Sequence, residues 1–372
     1  MKILYVAREV NHHLLPFAEA LETIFPGEVW YAAIDEYETR RSVMHFPKYK
    51  RNWIFTIDDN RPLFTSLFEE ADVVICHAWD FYSLILKRVQ NGKLTFYFSE
   101  RWFRPPYRKL RLIKPGFFKM YNNFKKITRY ESFFYLAQGT YAAYDFKSIN
   151  FCTERIFSFG YFTSIEQNIT HKTLLPKNKI NILWCGRLVE CKNVEKIICA
   201  VINLLKKGFD NIHLTIIGEG PLENKISEQI LPFESITLMK FKSTREIREY
   251  MNRADIYVFP STEHEGWGAV VNEAMAEGCA FIGSLYTGAV KSIIEDNVNG
   301  LLLEKLSTNE IEAKIQFLIE NPSELARLKI AAINTIHNWS PHVAAERFIN
   351  VVTAIQNKKN YNIYTEGVMS LL

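Results

Sequence analysis

Short runs of apolar residues recur along the first part of the chain, separated by segments long enough to hold a helix. The runs predict β-strands at residues 2–7, 28–33, 72–78, 94–99, 133–138 and 155–162. Residues 14–25, which follow the first run, have apolar side chains at helical spacing. Strands that alternate with helices in this way form a parallel sheet covered by helices. The pattern therefore predicts a doubly wound α/β domain over residues 1–165.

A second series of apolar runs begins after a polar stretch that contains Pro176. The stretch, residues 166–178, is the predicted linker. Beyond it we predict strands at residues 179–188, 213–221, 236–241, 254–260 and 279–284, a helix at 193–205, and only helices from residue 309 on. This indicates a second doubly wound domain over residues 179–338, with ligands at the carboxyl ends of its strands. Residues 339–372 form a C-terminal helix and tail.

Composition and charge narrow the class of protein. With 372 residues, 48% hydrophobic and 23% charged, the chain is long enough for two globular domains. It has no run of about eighteen apolar residues and does not begin like a signal peptide, so we expect a cytoplasmic protein. The six cysteines lack the spacing of metal ligands, and we predict no metal site. A net charge of +4 gives no indication of nucleic-acid binding.

The segment 261–279 combines acidic residues and glycines between a predicted strand and a predicted helix. Glu265, Gly266 and Gly268 lie in the loop, and Glu273 lies two turns further on. Glycines let a backbone approach a ligand closely, and the free N–H groups at the start of a helix favour phosphate. The segment therefore predicts a pocket for a phosphorylated, hydroxyl-rich molecule.

Two cations follow the first strand of the second domain. Arg187 and Lys192 are five residues apart, at the end of the sheet where ligands are expected. Fixed positive charges there would stabilise a diphosphate as it leaves a glycosidic bond. Solvated surface charges are the alternative interpretation of the same two residues.

Four motifs in the second half resemble, in the same order, those of the GT4-type retaining glycosyltransferases, the group 1 glycosyl transferases. They are GRLVECKN at 186–193, IGEGPLENKI at 217–226, EGWG at 265–268 followed by Glu273 and AMAEGCA, and TGA with NGLLLE at 287–289 and 299–304. Asn193 and Ala289 stand where the family usually has glycine. The resemblance implies a GT-B fold, in which two Rossmann-like domains face a cleft and the C-terminal helices return toward the N-terminal domain.

The resemblance also implies roles for individual residues. Glu273 would bind the nucleotide ribose and Glu265 the donor sugar, while Arg187 and Lys192 would hold the diphosphate. Further donor-binding positions would be Gly266, Trp267, Gly268, Gly218, Lys242 and Gly288. Lys242 belongs to residues 241–243, which would border the nucleotide base, and this segment lacks the glycine that the family commonly has there. No metal or other cofactor is expected, because the cations and the helix dipole would replace it.

The first half resembles the family much less, so its acceptor-side residues are less well defined. His77 and Asp80 follow one predicted strand, and Glu100 follows the next. Any of these side chains could orient or deprotonate an acceptor hydroxyl. The alternative is that they only cap helices.

Basic and aromatic residues alternate between residues 101 and 129, with no Asp or Glu among them. Such a segment can form a patch that binds an anionic membrane, with Trp102, Phe117 and Phe118 entering the lipid boundary. A solvated cationic helix pair is the alternative. Nucleic-acid binding is disfavoured, because no nucleic-acid-binding motif accompanies the patch.

The leading hypothesis is a retaining, metal-independent glycosyltransferase. It would move a sugar from a nucleotide diphosphate sugar to a saccharide or lipid-linked acceptor in the assembly of a bacterial capsule, O-antigen or lipopolysaccharide, in the cytoplasm or on the inner face of its membrane. The alternatives are a GT-B-fold nucleotide-sugar epimerase and a non-catalytic donor-binding scaffold. An epimerase would convert the sugar without an acceptor, and a scaffold would bind it without turnover.

Overall fold

The computed structural model describes residues 1–35, 51–77, 81–165 and 179–372. These residues divide into two compact units. The N-terminal unit comprises Met1–Ser164 together with Trp339–Leu372, and the C-terminal unit comprises Ile165–Asn338. The predicted linker, residues 166–178, and the candidate residue Asp80 lie outside the described residues.

A single parallel sheet forms the centre of the N-terminal unit. Its strands are β1 Lys2–Ala7, β2 Glu28–Ala33, β3 Ile54–Thr56, β4 Val73–Cys76, β5 Leu94–Ser99, β6 Phe133–Gln138 and β7 Ile156–Phe159. Their spatial order is β3-β2-β1-β4-β5-β6-β7. Val6 of β1 lies opposite Ala32 on one side and Cys76 on the other. The strand order therefore reverses between β1 and β4, which creates a crevice at their carboxyl ends.

Helices cover both faces of this sheet. They are α1 Leu15–Ile24, α2 Arg61–Glu70, α3 Tyr82–Gln90, α4 Pro115–Ile127 and α5 Thr140–Lys147. A 3₁₀ helix over Arg108–Ile113 leads into α4. Because both faces are covered, β4 and β6 are buried along their whole length.

The C-terminal unit repeats the same architecture with six parallel strands. They are β8 Ile180–Cys185, β9 Ile212–Ile217, β10 Ile236–Met239, β11 Ile256–Phe259, β12 Ala280–Ser284 and β13 Leu301–Leu303. The order β10-β9-β8-β11-β12-β13 is that of a dinucleotide-binding Rossmann sheet. The helices are α6 Val194–Lys206, α7 Glu223–Ile230, α8 Thr244–Arg253, α9 Val270–Ala276, α10 Gly288–Ile293, α11 Thr308–Glu320 and α12 Pro322–His337.

The last helix, α13 Pro341–Gln356, belongs to the N-terminal unit and packs against α1. Ser340 caps it by accepting a hydrogen bond from the Val343 amide. Phe348 on its buried face makes edge-on ring contacts with Phe17 of α1 and Phe96 of β5, at centroid distances of 5.9 and 4.9 Å. These contacts tie the end of the chain to the first domain it forms.

The predicted fold class, two doubly wound α/β domains, is confirmed. Two strands were missed. β3 and β13 are each three residues long, and so short a strand gives no periodicity that separates it from a loop. Some predicted strands also extend too far. The strand predicted over residues 155–162 corresponds to β7, which covers only Ile156–Phe159.

Candidate functional site

In the C-terminal unit, the loops that follow β8 and β11 lie side by side. The two strands are neighbours in the sheet, and the strand order reverses between them. The loop after β8 carries Arg187 and Lys192, and the loop after β11 carries Glu265. The topology therefore brings the predicted cations and the predicted acidic loop to one crevice.

Lys192 and Glu265 form an ion pair across these two loops. Both side chains are about four-fifths buried, with exposures of 18% and 22%. The Lys192 ammonium also lies 5.5 Å from the centre of the Phe259 ring. Arg187, in contrast, is exposed. The structure brings Lys192 and Glu265 together and leaves Arg187 at the rim.

Backbone contacts hold the Lys192 loop in place. Lys192 ends a short 3₁₀ turn, and Asn193 adopts the left-handed conformation with φ of 51°. The Asn193 side-chain amide donates to the Pro260 carbonyl at 2.8 Å, and the Thr262 amide donates to the Cys191 carbonyl at 2.9 Å. Asparagine tolerates this conformation better than most residues, which explains how it can replace the glycine of the family motif here.

The glycine-rich loop is built for close backbone packing. Gly268 has φ of 91°, and a Cβ at this position would lie 2.8 Å from the Phe259 ring. Trp267 is fully buried and donates through Nε1 to the Asn272 side chain at 2.9 Å. The amide of Gly288 donates to the Gly266 carbonyl at 2.9 Å. The Trp267 ring therefore anchors the loop from inside the unit.

Glu273 is buried on α9, with 6% of its surface exposed. Burial raises the pKa of its carboxyl group from the ordinary value of 4.5 to about 7. The nearby Arg248 guanidinium lowers the pKa and the Glu277 carboxylate raises it, but both effects are smaller than that of burial. Arg248 and Glu277 are themselves paired at 2.6 Å. Glu273 therefore changes charge near neutral pH.

The remaining donor-side candidates have structural functions that are visible in the fold. A Cβ at Gly218 would lie 1.9 Å from the Gly186 carbonyl oxygen, so the loops after β8 and β9 need glycine to pass this closely. Lys242 is 3.9 Å from Glu246 on α8. Ser243 caps α8 in a capping box with the same glutamate.

The N-terminal unit has a cavity of about 540 Å³ at the carboxyl ends of β1, β4 and β5. His77 after β4 and Glu100 after β5 both line it. The two acceptor-side candidates of the described chain are thus brought together at the point where the strand order reverses.

A hydrogen bond fixes the neutral tautomer of His77. Its Nδ1 lies 2.9 Å from the Phe98 carbonyl, which can only accept, so Nδ1 carries a proton and Nε2 is the acceptor whenever the ring is neutral. Burial lowers the pKa of His77, and this effect exceeds the opposing hydrogen bond to Phe98 and the attraction of Glu100. His77 can therefore accept a hydrogen bond from a bound hydroxyl group.

Glu100 has both carboxylate oxygens engaged. Oε2 pairs with Arg104, and Oε1 accepts a hydrogen bond from the Tyr161 hydroxyl at 3.2 Å. Both oxygens of Glu100 therefore already accept hydrogen bonds within the protein. Of the two acceptor-side candidates, His77 has the ring nitrogen that a bound hydroxyl group can use as an acceptor.

Sequence reasoning missed the arginines of this cavity. Arg8, Arg101, Arg104 and Arg111 line it together with His77 and Glu100. Three of these arginines belong to the basic segment 101–129, so the sequence does mark them as a cluster of positive charge. Both interpretations of that segment from sequence place it on the surface.

The expectation that Trp102 enters a lipid boundary is wrong. Trp102 is only 6% exposed and packs edge-on against Phe124 and Phe146, at 4.9 and 4.8 Å. Phe117 packs on Trp102 at 5.8 Å, and only Phe118 of the three is exposed. Within the described part of the chain, no helix is both long and apolar enough to cross a membrane.

Comparison with known proteins identifies the segment that contains the Lys192–Glu265 pair. Residues 166–335 match the family described as "Glycosyl transferases group 1". This segment is similar to the group 1 glycosyltransferases. The matched residues include the loops after β8 and β11 and helix α9, so the motif resemblance is confirmed at the level of the group 1 family.

Two curated relatives are similar to this chain over less than half of its length. An uncharacterized glycosyltransferase of Haemophilus influenzae is 31% identical over 157 residues, which is 40% of this chain and 44% of the relative. The capsular polysaccharide biosynthesis glycosyltransferase CapM of Staphylococcus aureus is 31% identical over 155 residues, covering 41% and 40%. The similarity thus spans less than half the length of these relatives.

A solved structure resembles almost the whole chain. The crystal structure of Anabaena HepE in complex with UDP superposes with a TM-score of 0.71, covering 95% of this chain and all of HepE, at 14% sequence identity. At this identity the likeness concerns the fold alone. It confirms the predicted GT-B fold class.

Proposed function

We propose that this protein is a glycosyltransferase that moves a sugar from a nucleotide diphosphate sugar to a hydroxyl group of a saccharide or lipid-linked acceptor. The observation that carries the proposal is the Lys192–Glu265 ion pair at the strand-order reversal of the C-terminal sheet, within the segment of the family match. HepE was crystallised in complex with UDP, and the name of CapM places that relative in capsular polysaccharide biosynthesis. Both support a donor site of this kind and a role in polysaccharide assembly.

Each donor-side residue has a distinct part in this proposal. Lys192, assisted by Arg187 at the rim, stabilises the negative charge that develops on the leaving diphosphate. Glu265 positions the Lys192 ammonium and accepts hydrogen bonds from the donor sugar. Glu273 in its ionised form accepts hydrogen bonds from the ribose hydroxyls. The proposal includes retention of the anomeric configuration and needs no metal, since fixed cations stabilise the leaving group.

Binding of nucleotide sugars tests the proposal directly. A panel of nucleotide diphosphate sugars is added to the protein, and thermal unfolding is followed for each. A true donor at 100 times its dissociation constant should stabilise the fold by about 2.7 kcal/mol. Turnover then separates the hypotheses, because a transferase releases nucleoside diphosphate only with an acceptor. An epimerase converts the sugar alone, and a scaffold does neither. Absence of a shift with every member of the panel would contradict the donor site.

We also propose peripheral contact with an anionic membrane, through the exposed apolar and basic side chains of the segment 101–129 and without Trp102. Leu110, Ile113 and Phe118 are exposed on the 3₁₀ helix Arg108–Ile113 and on α4, Ile113 by 77%. Five lysines of the same segment are also exposed, Lys109, Lys114, Lys119, Lys125 and Lys126. Apolar side chains next to lysines favour the headgroup boundary of anionic lipids.

Removing the apolar side chains should weaken membrane binding. The double variant Leu110→Gln/Ile113→Gln should bind vesicles with anionic lipid several-fold less than the wild type in a sedimentation assay, because about 25 cal/mol per Å² of inserted apolar surface is lost. Leu231→Gln is the matched control, since Leu231 is 85% exposed on the C-terminal unit. Equal binding of wild type and double variant would contradict the membrane surface.

A further inference from the structure

The cavity of the N-terminal unit is rich in guanidinium groups. Among the described residues, four arginines line it together with two carboxylates, Asp35 and Glu100. Arg8 pairs with Asp35 at 2.8 Å, and Arg104 pairs with Glu100. Burial lowers the pKa of His77, which disfavours the charged form of its ring. Within the described lining, Arg111 adds positive charge that no ion pair offsets, and Arg101 lies 4.0 Å from the carboxylate of Asp145, which does not line the cavity.

Arg101 is held in the wall of the cavity with unused hydrogen-bonding capacity. Its side chain is 10% exposed, and its guanidinium lies over the Tyr141 ring at 5.1 Å. The nearest carboxylate is that of Asp145, 4.0 Å from Nε, beyond hydrogen-bond distance. Among the described residues, buried Nε has no hydrogen-bond partner. A buried donor of this kind costs free energy unless a ligand satisfies it.

Arg111 is fixed in position but not neutralised. One of its Nη atoms donates to the Trp102 carbonyl at 2.6 Å, and its guanidinium lies 4.9 Å from the centre of the Phe117 ring. No ion pair joins Arg111 to a carboxylate in the described ranges of the chain. Burial and the neighbouring Arg104 guanidinium both lower the pKa of Arg111. Two like charges held close together favour an anion between them.

The first turn of α4 adds to the positive electrostatic potential of the cavity. Gly116 and Phe117 line the cavity at the second and third positions of this thirteen-residue helix. Backbone N–H groups in a first helical turn have no partner inside the helix, and the helix dipole places partial positive charge there. Together with the unused donor of Arg101, this end of the helix makes the cavity attractive to an oxyanion.

We infer that the cavity binds an oxyanion of the acceptor, a phosphoryl or carboxylate group, through Arg101, Arg104 and Arg111. The acceptor is then a phosphorylated or acidic saccharide, or a carrier with a phosphate, and not a neutral sugar. Naming the bound molecule the acceptor rests on the proposed function, whereas oxyanion binding by the cavity does not. Guanidinium groups bind such oxyanions through paired hydrogen bonds.

Isothermal titration of the full chain at constant ionic strength tests this inference. The probes are glucose 6-phosphate, glucuronate and glucose, which separate a phosphoryl group, a carboxylate and a neutral sugar. We expect at least one of the two anionic probes to bind well and glucose to bind at least tenfold more weakly. Arg111→Gln should weaken anion binding by about tenfold, because one charge-assisted contact is lost. Arg111→Lys keeps the positive charge but cannot make the paired hydrogen bonds of a guanidinium group, so it should weaken anion binding less than Arg111→Gln does.

Arg129→Gln is the matched control, because Arg129 is an exposed arginine outside the cavity. It should bind the anions like the wild type. Equal affinity for glucose and for the anions would overturn the inference, and so would unchanged affinity in Arg111→Gln. UDP binding is measured on the same samples. If the wild type binds UDP but not the anions, only the cavity inference fails. If the wild type does not bind UDP, the proposed function is contradicted.

Discussion

Replacing Lys192 by methionine should lower kcat for sugar transfer by about 10²–10³-fold, with a much smaller change in the KM for the donor. Methionine keeps most of the length of the side chain and removes its charge. Negative charge on the diphosphate grows as the glycosidic bond breaks, so the ammonium acts more strongly on the transition state than on the bound donor. Steady-state kinetics with the donor found in the nucleotide-sugar panel would measure both constants.

The expected size of this effect depends on where Lys192 lies. Its side chain is 18% exposed, so water screens its charge less than that of a surface lysine. The Glu265 carboxylate and the Phe259 ring hold the ammonium in place, which reduces the reorganisation needed when charge develops.

Lys206→Met is the matched control for Lys192→Met. Lys206 is exposed on α6 of the same unit, so the same change of charge there should leave kcat within about twofold of the wild type. A kcat of Lys192→Met within the same range would exclude Lys192 from leaving-group stabilisation. A rise in donor KM with unchanged kcat would instead indicate uniform binding of donor and transition state.

The parts of the donor site could be predicted because they follow strand ends. Lys192 and Glu265 are 73 residues apart, yet each comes directly after an apolar run that was predicted as a strand. Their contact needs one further fact, that β8 and β11 are neighbours. Strand order is a property of the whole sheet, and no local pattern contains it. The burial of Glu273, and hence its raised pKa, depends on the packing around α9, and the local sequence does not predict it either.

The cavity of the N-terminal unit shows why local patterns fail in the segment 101–129. Alternating arginines and aromatic residues fit an exposed patch and a folded pocket wall equally well. A residue far along the chain decides between them. Asp145 on α5 accepts a hydrogen bond from the Phe103 amide at 2.8 Å and lies 4.0 Å from Arg101, while Phe146 beside it packs on Trp102. Contacts with residues far along the chain therefore bury the first residues of the segment, which include Trp102 and Phe103.

Replacing Glu273 by glutamine should weaken donor binding and abolish its dependence on pH. In the wild type the pKa of the Glu273 carboxyl is about 7. In the proposed function the ionised carboxylate would accept two hydrogen bonds from ribose hydroxyls, and the protonated acid would accept them less well. Donor affinity of the wild type should therefore rise between about pH 6 and pH 8 and level off above the pKa. In Glu273→Gln the affinity should be about tenfold lower at about pH 8 and constant over this range.

The same substitution should stabilise the fold at high pH. Because the pKa of Glu273 is raised in the folded chain, the folded state holds a proton that the unfolded state loses between pH 4.5 and about 7. The stability of the wild type therefore falls as pH rises through this window, and the full penalty is present above it. Its size is on the order of 3 kcal/mol.

Denaturant unfolding of wild type and Glu273→Gln across the same pH range measures that penalty. We expect the variant to be the more stable protein at about pH 8 and the difference to shrink toward about pH 4. Glu277→Gln is an unsuitable control because Glu277 forms a buried ion pair with Arg248. Glu249→Gln on α8 is the matched control, because the ion pair of Glu249 with Arg245 is exposed and contributes little to stability. Parallel pH profiles for wild type and Glu273→Gln, in both binding and stability, would show that Glu273 does not titrate in this window. A stabilised variant with weakened donor binding would show that the fold retains a buried acid at a cost in stability because the ribose requires it.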